Sequence, residues 1–358
     1  MNQKLRGVNL GGWLVLEKWM TPSLFHGLHA IDETRWCVEM GGEAGRRLTE
    51  HRENFITESD FQWLADRGLN AVRIPVPFWL FDIDYPYHES YGGSKRPFVP
   101  GADEYLNRAF DWAAKHGLKV VVDLHTAPGC QNGFDNGGIQ GVCDWHKNEE
   151  YRKFTLDLLE KIGEVYGDRS ALVGIEILNE PRWDIPEDLL KDFTQRAYER
   201  IRRSVPPTSV AVAFNGFCRD HGVYRDFMRE PKYSNVVYDI HRYQNFDEHD
   251  RHMDIFGHIQ KAAIEWKNEA QKISDEVNLW TWVGEWSLGF GLDGKYNQGP
   301  KVPEKIKREC GLRAYGAAQL LSFEQYSGWF FWSYKTEDTP DWSFRECVER
   351  GWLPGQYD

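Results

Sequence analysis

Val173-Gly174-Ile175-Glu176-Ile177-Leu178-Asn179-Glu180-Pro181 is an apolar run that stops abruptly at Asn-Glu-Pro. Its body has the composition of a strand buried on both faces. Its polar end puts Asn179 and Glu180 at the C-terminal edge of that strand. A second run, Leu279-Trp280-Thr281-Trp282-Val283-Gly284-Glu285-Trp286, closes in the same way on Glu285. Working outward, strand patterns cover 5–9, 71–75, 119–124, 172–178, 209–214, 236–239, 279–283 and 328–332. Helical patterns cover 57–67, 103–115, 149–166, 187–204, 250–274, 301–322 and 342–350, with room for a short one within 220–228. Arg67-Gly68 and Lys115-His116-Gly117 carry a basic residue and then glycine, a helix stop. Eight strands alternating with helices predict an α/β fold, the (β/α)8 TIM barrel, with a doubly wound sheet as the alternative. No linker, repeat or low-complexity stretch interrupts residues 1–358, which predicts a single domain. Long loops follow strands at 77–102, 125–148 and 286–300, and a long segment, 11–56, separates the first strand from its helix. In such a barrel the strands' C-terminal ends form one rim, and the chemistry sits there.

The composition narrows the partner. A chain of 358 residues with 41% hydrophobic content suits one barrel with generous loops, and its net charge is -12. That charge argues against nucleic acid and against a membrane contact through a basic patch. No window reaches the roughly 18 apolar residues of a membrane span. A neutral ligand fits best. Aromatics make up 15%, with 16 Trp. Indole faces stack on the C–H faces of sugars, although most of these rings are expected in the core. Residues 1–10 have no apolar signal core, the six Cys show no CxxC spacing, and no Asn-x-Ser/Thr site occurs. Together these features lead to the expectation of a cytoplasmic protein with reduced thiols.

Polar residues gather where six of the strands end: Arg73, Asp123 and His125, Asn179 and Glu180, His241 and Tyr243, Glu285, and Trp332. Two carboxylates facing each other across a sugar ring are what cleavage of a glycosidic bond requires, and Glu180 and Glu285 are placed for it.

Taken in order, Arg73, His125, Asn179, Glu180, His241, Tyr243, Glu285 and Trp332 resemble the hallmark residues of glycoside hydrolase family 5, the retaining β-glycosidases of clan A. The stretches 6–17, 21–25, 131–136, 241–246 and 332–337 resemble the exo-β-1,3-glucanase branch. The resemblance implies a retaining exo-acting β-glycosidase that removes terminal β-glucosyl units from β-1,3-glucan oligosaccharides or β-glucosides. Alternatives are a diglycosidase, a glycolipid or aryl β-glucosidase, and a barrel that binds carbohydrate without cleaving it. Glu285 is then the nucleophile, kept ionised by Arg73 and oriented by Tyr243. Glu180 is the acid/base and must start protonated. Asn179 bonds the sugar 2-OH, His125 bonds another hydroxyl, His241 tunes Glu180, and Trp332 is the floor. Carried over from the branch, Glu17, Asp135 and Asn136 are hydroxyl ligands, and Phe134 and Phe246 form a paired clamp. No cofactor and no metal are expected, and the carboxyls should stand about 5–5.5 Å apart. The chain departs from the branch at 239–243, 137–145 and 287–292, which bears on leaving-group specificity.

Three other patterns lead elsewhere. Gly289-Phe290-Gly291-Leu292-Asp293-Gly294 spells GxGxxG, but loop-like sequence follows where the dinucleotide fingerprint needs a helix. His249, His252 and His258 have ligand-like spacing without a completing HExxH or Cys. Cys130 and Cys143 bracket Phe134 and could pair in an oxidising compartment, although reduced thiols are expected. Oligomeric state, sugar and linkage stay open.

Overall fold

The computed structural model describes residues 3–290 and 304–358. Eight parallel strands close into a barrel in chain order: β1 Leu5–Asn9, β2 Ala71–Val76, β3 Lys119–Leu124, β4 Leu172–Glu176, β5 Ala211–Asn215, β6 Val236–Arg242, β7 Trp280–Trp286 and β8 Gly328–Phe331. β1 pairs with both β2 and β8, which completes the ring. All eight lie where the sequence places them, with shifted ends. β4 stops at Glu176, so Asn179 and Glu180 stand on the loop beyond it, with Glu180 at φ 43°. β6 and β7 run further than expected, and a register shift after Ile240 sets His241 directly opposite Glu285.

The barrel interior has two levels. Leu5, Ala71, Val121, Ala211, Ala213, Val237, Trp282 and Phe330 form a closed apolar plug in the lower half. Two residues further along four of the same strands, Arg73, Asp123, Asn215 and Asp239 are fully or almost fully buried. Strand side chains alternate with period two, so an apolar residue and the polar residue two places on share one face. The plug and the polar level are therefore written on the same strands.

Helices Ala102–His116, Glu149–Tyr166 and Glu187–Ile201 cover the outside through buried residues such as Leu106, Phe110, Leu159 and Phe193. Three expectations change. The segment 11–56 is not loop throughout, because it holds helices Glu33–Met40 and Ala44–Phe55. The helix expected over 250–274 is broken into Glu248–His252, Ile255–Gln260, a π turn over Lys261–Glu265, and Trp266–Glu276. The break occurs because the Asp254 carboxylate accepts from Gly257 N at 2.8 Å and starts a new helix. The pattern at 342–350 is a 3-10 turn, Pro340–Trp342, followed by helix Phe344–Glu349. Most of the loop expected at 286–300 and the start of the helix expected at 301 lie outside the described residues, and that helix is seen over Glu304–Phe323. Among the described residues no helix is long and apolar enough to cross a membrane.

Candidate active site

Arg73 is the hub of the polar level. From β2 it donates to Glu176 Oε2 at 2.8 Å, Asn9 Oδ1 at 2.9 Å, Asn179 Oδ1 at 2.9 Å and Glu285 Oε1 at 3.1 Å. It also lies 3.2 Å from Asp123 Oδ2. A fully buried guanidinium needs this many partners to offset its lost hydration. Asn9 in turn donates to the Gly284 carbonyl at 2.9 Å, which fixes the backbone just before Glu285.

Glu180 and Glu285 face each other across His241. One oxygen of each carboxylate and a nitrogen of His241 all lie within 4.8 Å of one another. His241 Nδ1 is 2.8 Å from Glu180 Oε1 and 3.3 Å from Glu285 Oε2, and Nε2 is 3.1 Å from Asp239 Oδ2. Burial opposes charge on this imidazole, but Glu285, Asp239 and Glu180 together raise it well above its ordinary value, and the Asn215 amide lies 2.9 Å from its Nε2. Asp239 is held for this task. Its other oxygen accepts from Gly284 N at 2.7 Å, a contact that a Cβ on residue 284 would block, lying 2.3 Å from both carboxylate oxygens.

The surroundings of the two glutamates differ. Glu285 accepts from Arg73 and, at 2.8 Å, from the Tyr243 hydroxyl. Glu180 accepts from Asn136 Nδ2 at 3.1 Å and touches no arginine. Arg73 lowers Glu285 as expected, but it does not decide the outcome. Burial is the largest influence and, with the Glu180 charge, moves the carboxyl upward, while His241 and Arg73 only pull it part of the way back.

Around this pair stand the sugar-facing groups. His125 lies flat on Trp332, with centroids 5.3 Å apart at 6°, and its Nδ1 is 2.6 Å from Asp123 Oδ2. Its Nε2, like the Asn179 side-chain NH2, is buried with no protein partner among the described residues. Both are therefore ready for a hydroxyl. Glu17 is buried and accepts from Trp19 Nε1 at 2.8 Å; burial and the Asp135 charge raise it well above the carboxylate range. Asp135 is raised as well, chiefly by burial. The Asn136 amide, expected as a sugar ligand, is engaged with Glu180 and Asn132.

These residues open onto a cavity of about 760 Å³ that takes in Glu17, Asp135, Glu180, Glu285 and Trp332. Phe134 and Phe246 both line it, on separate aromatic clusters. Phe134 packs on Trp183 and Phe217, and Phe246 on Tyr243 and Trp342. Trp19, Trp183, Phe217 and Trp342 complete these walls and were not singled out from the sequence. They sit on loops or, for Trp342, on the short 3-10 turn, where no periodicity gives side-chain direction. Asn9, Glu176, Asn215 and Asp239 were also missed as supports. Their signal was present, since each is a polar residue inside an apolar strand run.

The family model for cellulase (glycosyl hydrolase family 5) matches residues 40–338. The chain belongs to glycosyl hydrolase family 5. This family 5 glycoside hydrolase is 34% identical to glucan 1,3-beta-glucosidase 2 of Wickerhamomyces anomalus, over 99% of this chain and 88% of the relative. It is 35% identical to the glucan 1,3-beta-glucosidase of Blumeria graminis, over 100% and 88%. In fold it matches a rutinosidase from Aspergillus niger with a TM-score of 0.78 at 21% identity, covering 98% of each chain.

The remaining sequence patterns find structural roles or lie apart. Arg242, one of the departures from the branch, leaves the site and donates to Glu269 Oε2 at 2.8 Å on the flanking helix. Gly289 is small because the Trp342 indole lies on it, 2.1 Å from where a Cβ would stand; Gly291 and Gly294 lie outside the described residues. Cys130 and Cys143 are separate buried thiols. Among the described residues, the trios of ligand-type atoms that converge are Glu176–Asp239–His241 and Glu180–His241–Glu285, and His249, His252 and His258 form none.

Proposed function

We propose that this hydrolase removes single glucosyl units from the non-reducing ends of β-1,3-linked glucan oligosaccharides with retention of configuration. The observation that carries the mechanism is the carboxylate pair, with one oxygen of each within 4.8 Å. Retaining enzymes hold their carboxyls about 5–5.5 Å apart, whereas inverting enzymes leave about 6.5–9.5 Å for a water. The β-1,3 linkage and exo action are supported by the glucan 1,3-beta-glucosidase relatives and by a cavity walled by loops on several sides.

Glu285, bonded to Arg73 and Tyr243, attacks the anomeric carbon. Glu180 gives its proton to the departing oxygen, and the neighbouring His241 N–H steadies the carboxylate that forms. A water then enters, Glu180 takes its proton as the water oxygen bonds the anomeric carbon, the bond to Glu285 breaks, and glucose leaves with the original configuration. Asn179 is placed to strengthen its bond to the 2-OH as charge develops on the ring.

Azide separates the two roles. With an activated aryl β-glucoside, Glu180→Ala should still form the glycosyl-enzyme, and azide should restore turnover as the β-glucosyl azide. Glu285→Ala should give no β-azide. The reverse pattern would exchange the two assignments. Early products of a long β-1,3-glucan should be glucose, with little fall in viscosity, and a rapid fall would show an open cleft.

A further inference from the structure

Trp183 is a large apolar ring that folding does not use: it is 53% exposed. The segment that carries it is nevertheless firmly held. Arg219, from the loop after β5, donates to the carbonyls of Pro181 at 2.9 Å, Ile185 at 3.4 Å and Arg182. Arg182 forms a two-pronged bond to Asp184 at 2.6 and 2.9 Å, and its backbone N donates to Gln131 O at 3.1 Å. Both chain neighbours of Trp183 are thus tied down, and its ring is left facing out over the cavity that holds Glu180 and Glu285.

The rings follow one another in a series of contacts. Phe217 is 6.5 Å from His241, which bonds Glu180. Phe134 is 6.2 Å from Phe217, and Trp183 is 6.3 Å from Phe134. Exposure rises along it, from buried His241 through half-buried Phe217 and Phe134 to exposed Trp183. The cleaved sugar lies between the carboxylates, and the next is expected beside Phe134 and Phe246. Trp183 is the next ring outward from Phe134. We propose that Trp183 is a stacking platform for the third sugar of a β-1,3-glucan chain and sets the preference for trisaccharides over disaccharides. The proposal rests on the glucan reading above. An exposed indole held in place before binding loses little freedom when a sugar covers it, so the contact adds to affinity.

The test measures kcat/KM for the β-1,3-linked disaccharide, the trisaccharide and an aryl β-glucoside in wild type, Trp183→Ala and Trp183→Tyr. Wild type should prefer the trisaccharide. Trp183→Ala should lose about three- to tenfold on the trisaccharide, on the scale of an aromatic contact, and Trp183→Tyr should recover most of it. Circular dichroism shows that the variant is folded, and the aryl glucoside and the disaccharide should lose less than the trisaccharide, because they feel the missing indole only through Phe134. A wild type without trisaccharide preference, or an equal loss on disaccharide and trisaccharide, overturns the platform while leaving the glucan reading intact. A wild type that cleaves the aryl glucoside but neither oligosaccharide overturns both.

Discussion

At Glu285 and His241 the charges of single residues set the pH range of the reaction. Burial raises Glu285, so the acid limb of kcat/KM should lie above the ordinary carboxylate value. Glu180 carries its proton in the reacting form, so with an activated aryl glucoside, whose departure needs no proton, Glu180→Gln should leave that limb in place; a limb that moves to lower pH would show that Glu180 is charged while Glu285 titrates. On the other side, Glu285, Asp239 and Glu180 hold the His241 proton. Asp239→Asn should weaken that hold, and an NMR titration of the His241 imidazole should show it losing its proton at lower pH than in wild type. Removing the general acid costs about 10²–10⁴ in rate on a substrate with a poor leaving group, so Glu180→Gln should separate strongly between aryl and oligosaccharide substrates. At this scale the hallmark residues were legible because they stand just past apolar runs. Asp123, Glu176 and Asp239 were equally visible as acids within those runs. Their purpose could not be read, because a supporting residue is defined by its partner across the barrel.

Among the elements, β6 and the helix Trp266–Glu276 are joined by the Arg242–Glu269 pair at 2.8 Å. Burial raises the Glu269 carboxyl, but Arg242 and His221 bring it down to about 2. Its folded value is thus depressed below the unfolded one near 4.5. The pair should stabilise the fold by about 3 kcal/mol above pH 4.5, less whatever solvent screening removes, and lose this as pH falls toward about 2. Glu269→Gln should therefore be less stable than wild type at pH 7 in denaturant unfolding, with the gap shrinking as the pH is lowered. A gap independent of pH would mean that the glutamate acts by packing alone. Strands were legible at this scale because barrel strands are short apolar runs with polar ends. Helix Ala44–Phe55 was not, because beyond Ala44 and Leu48 its buried face includes the charged Arg52, which donates to the Pro100 carbonyl at 3.0 Å. The break at Asp254 was hidden because its capping carboxylate looked like another surface charge.

At the scale of the whole molecule, the apolar plug and the polar level divide the barrel between holding and reacting. Trp282→Ala, in the plug, should lower stability by about 3–5 kcal/mol while leaving KM near wild type at temperatures where the variant is folded. A raised KM in a fully folded variant would show that the two levels are coupled. The sequence could not reveal this division, because it depends on which strand faces come together when the ring closes. Arg73 gives that closure a further consequence. Its guanidinium, on β2, meets groups from its neighbours β1 and β3, from β4, and from β7, which comes next to this side of the sheet only when β8 pairs with β1 and the circle is complete. In a partly opened chain the acids of the upper level would lose their shared counter-charge and repel one another. Half-assembled barrels are thereby disfavoured, and catalytic competence becomes a reporter of ring integrity. In a denaturant series, loss of turnover and loss of tryptophan fluorescence should follow one curve with a common midpoint.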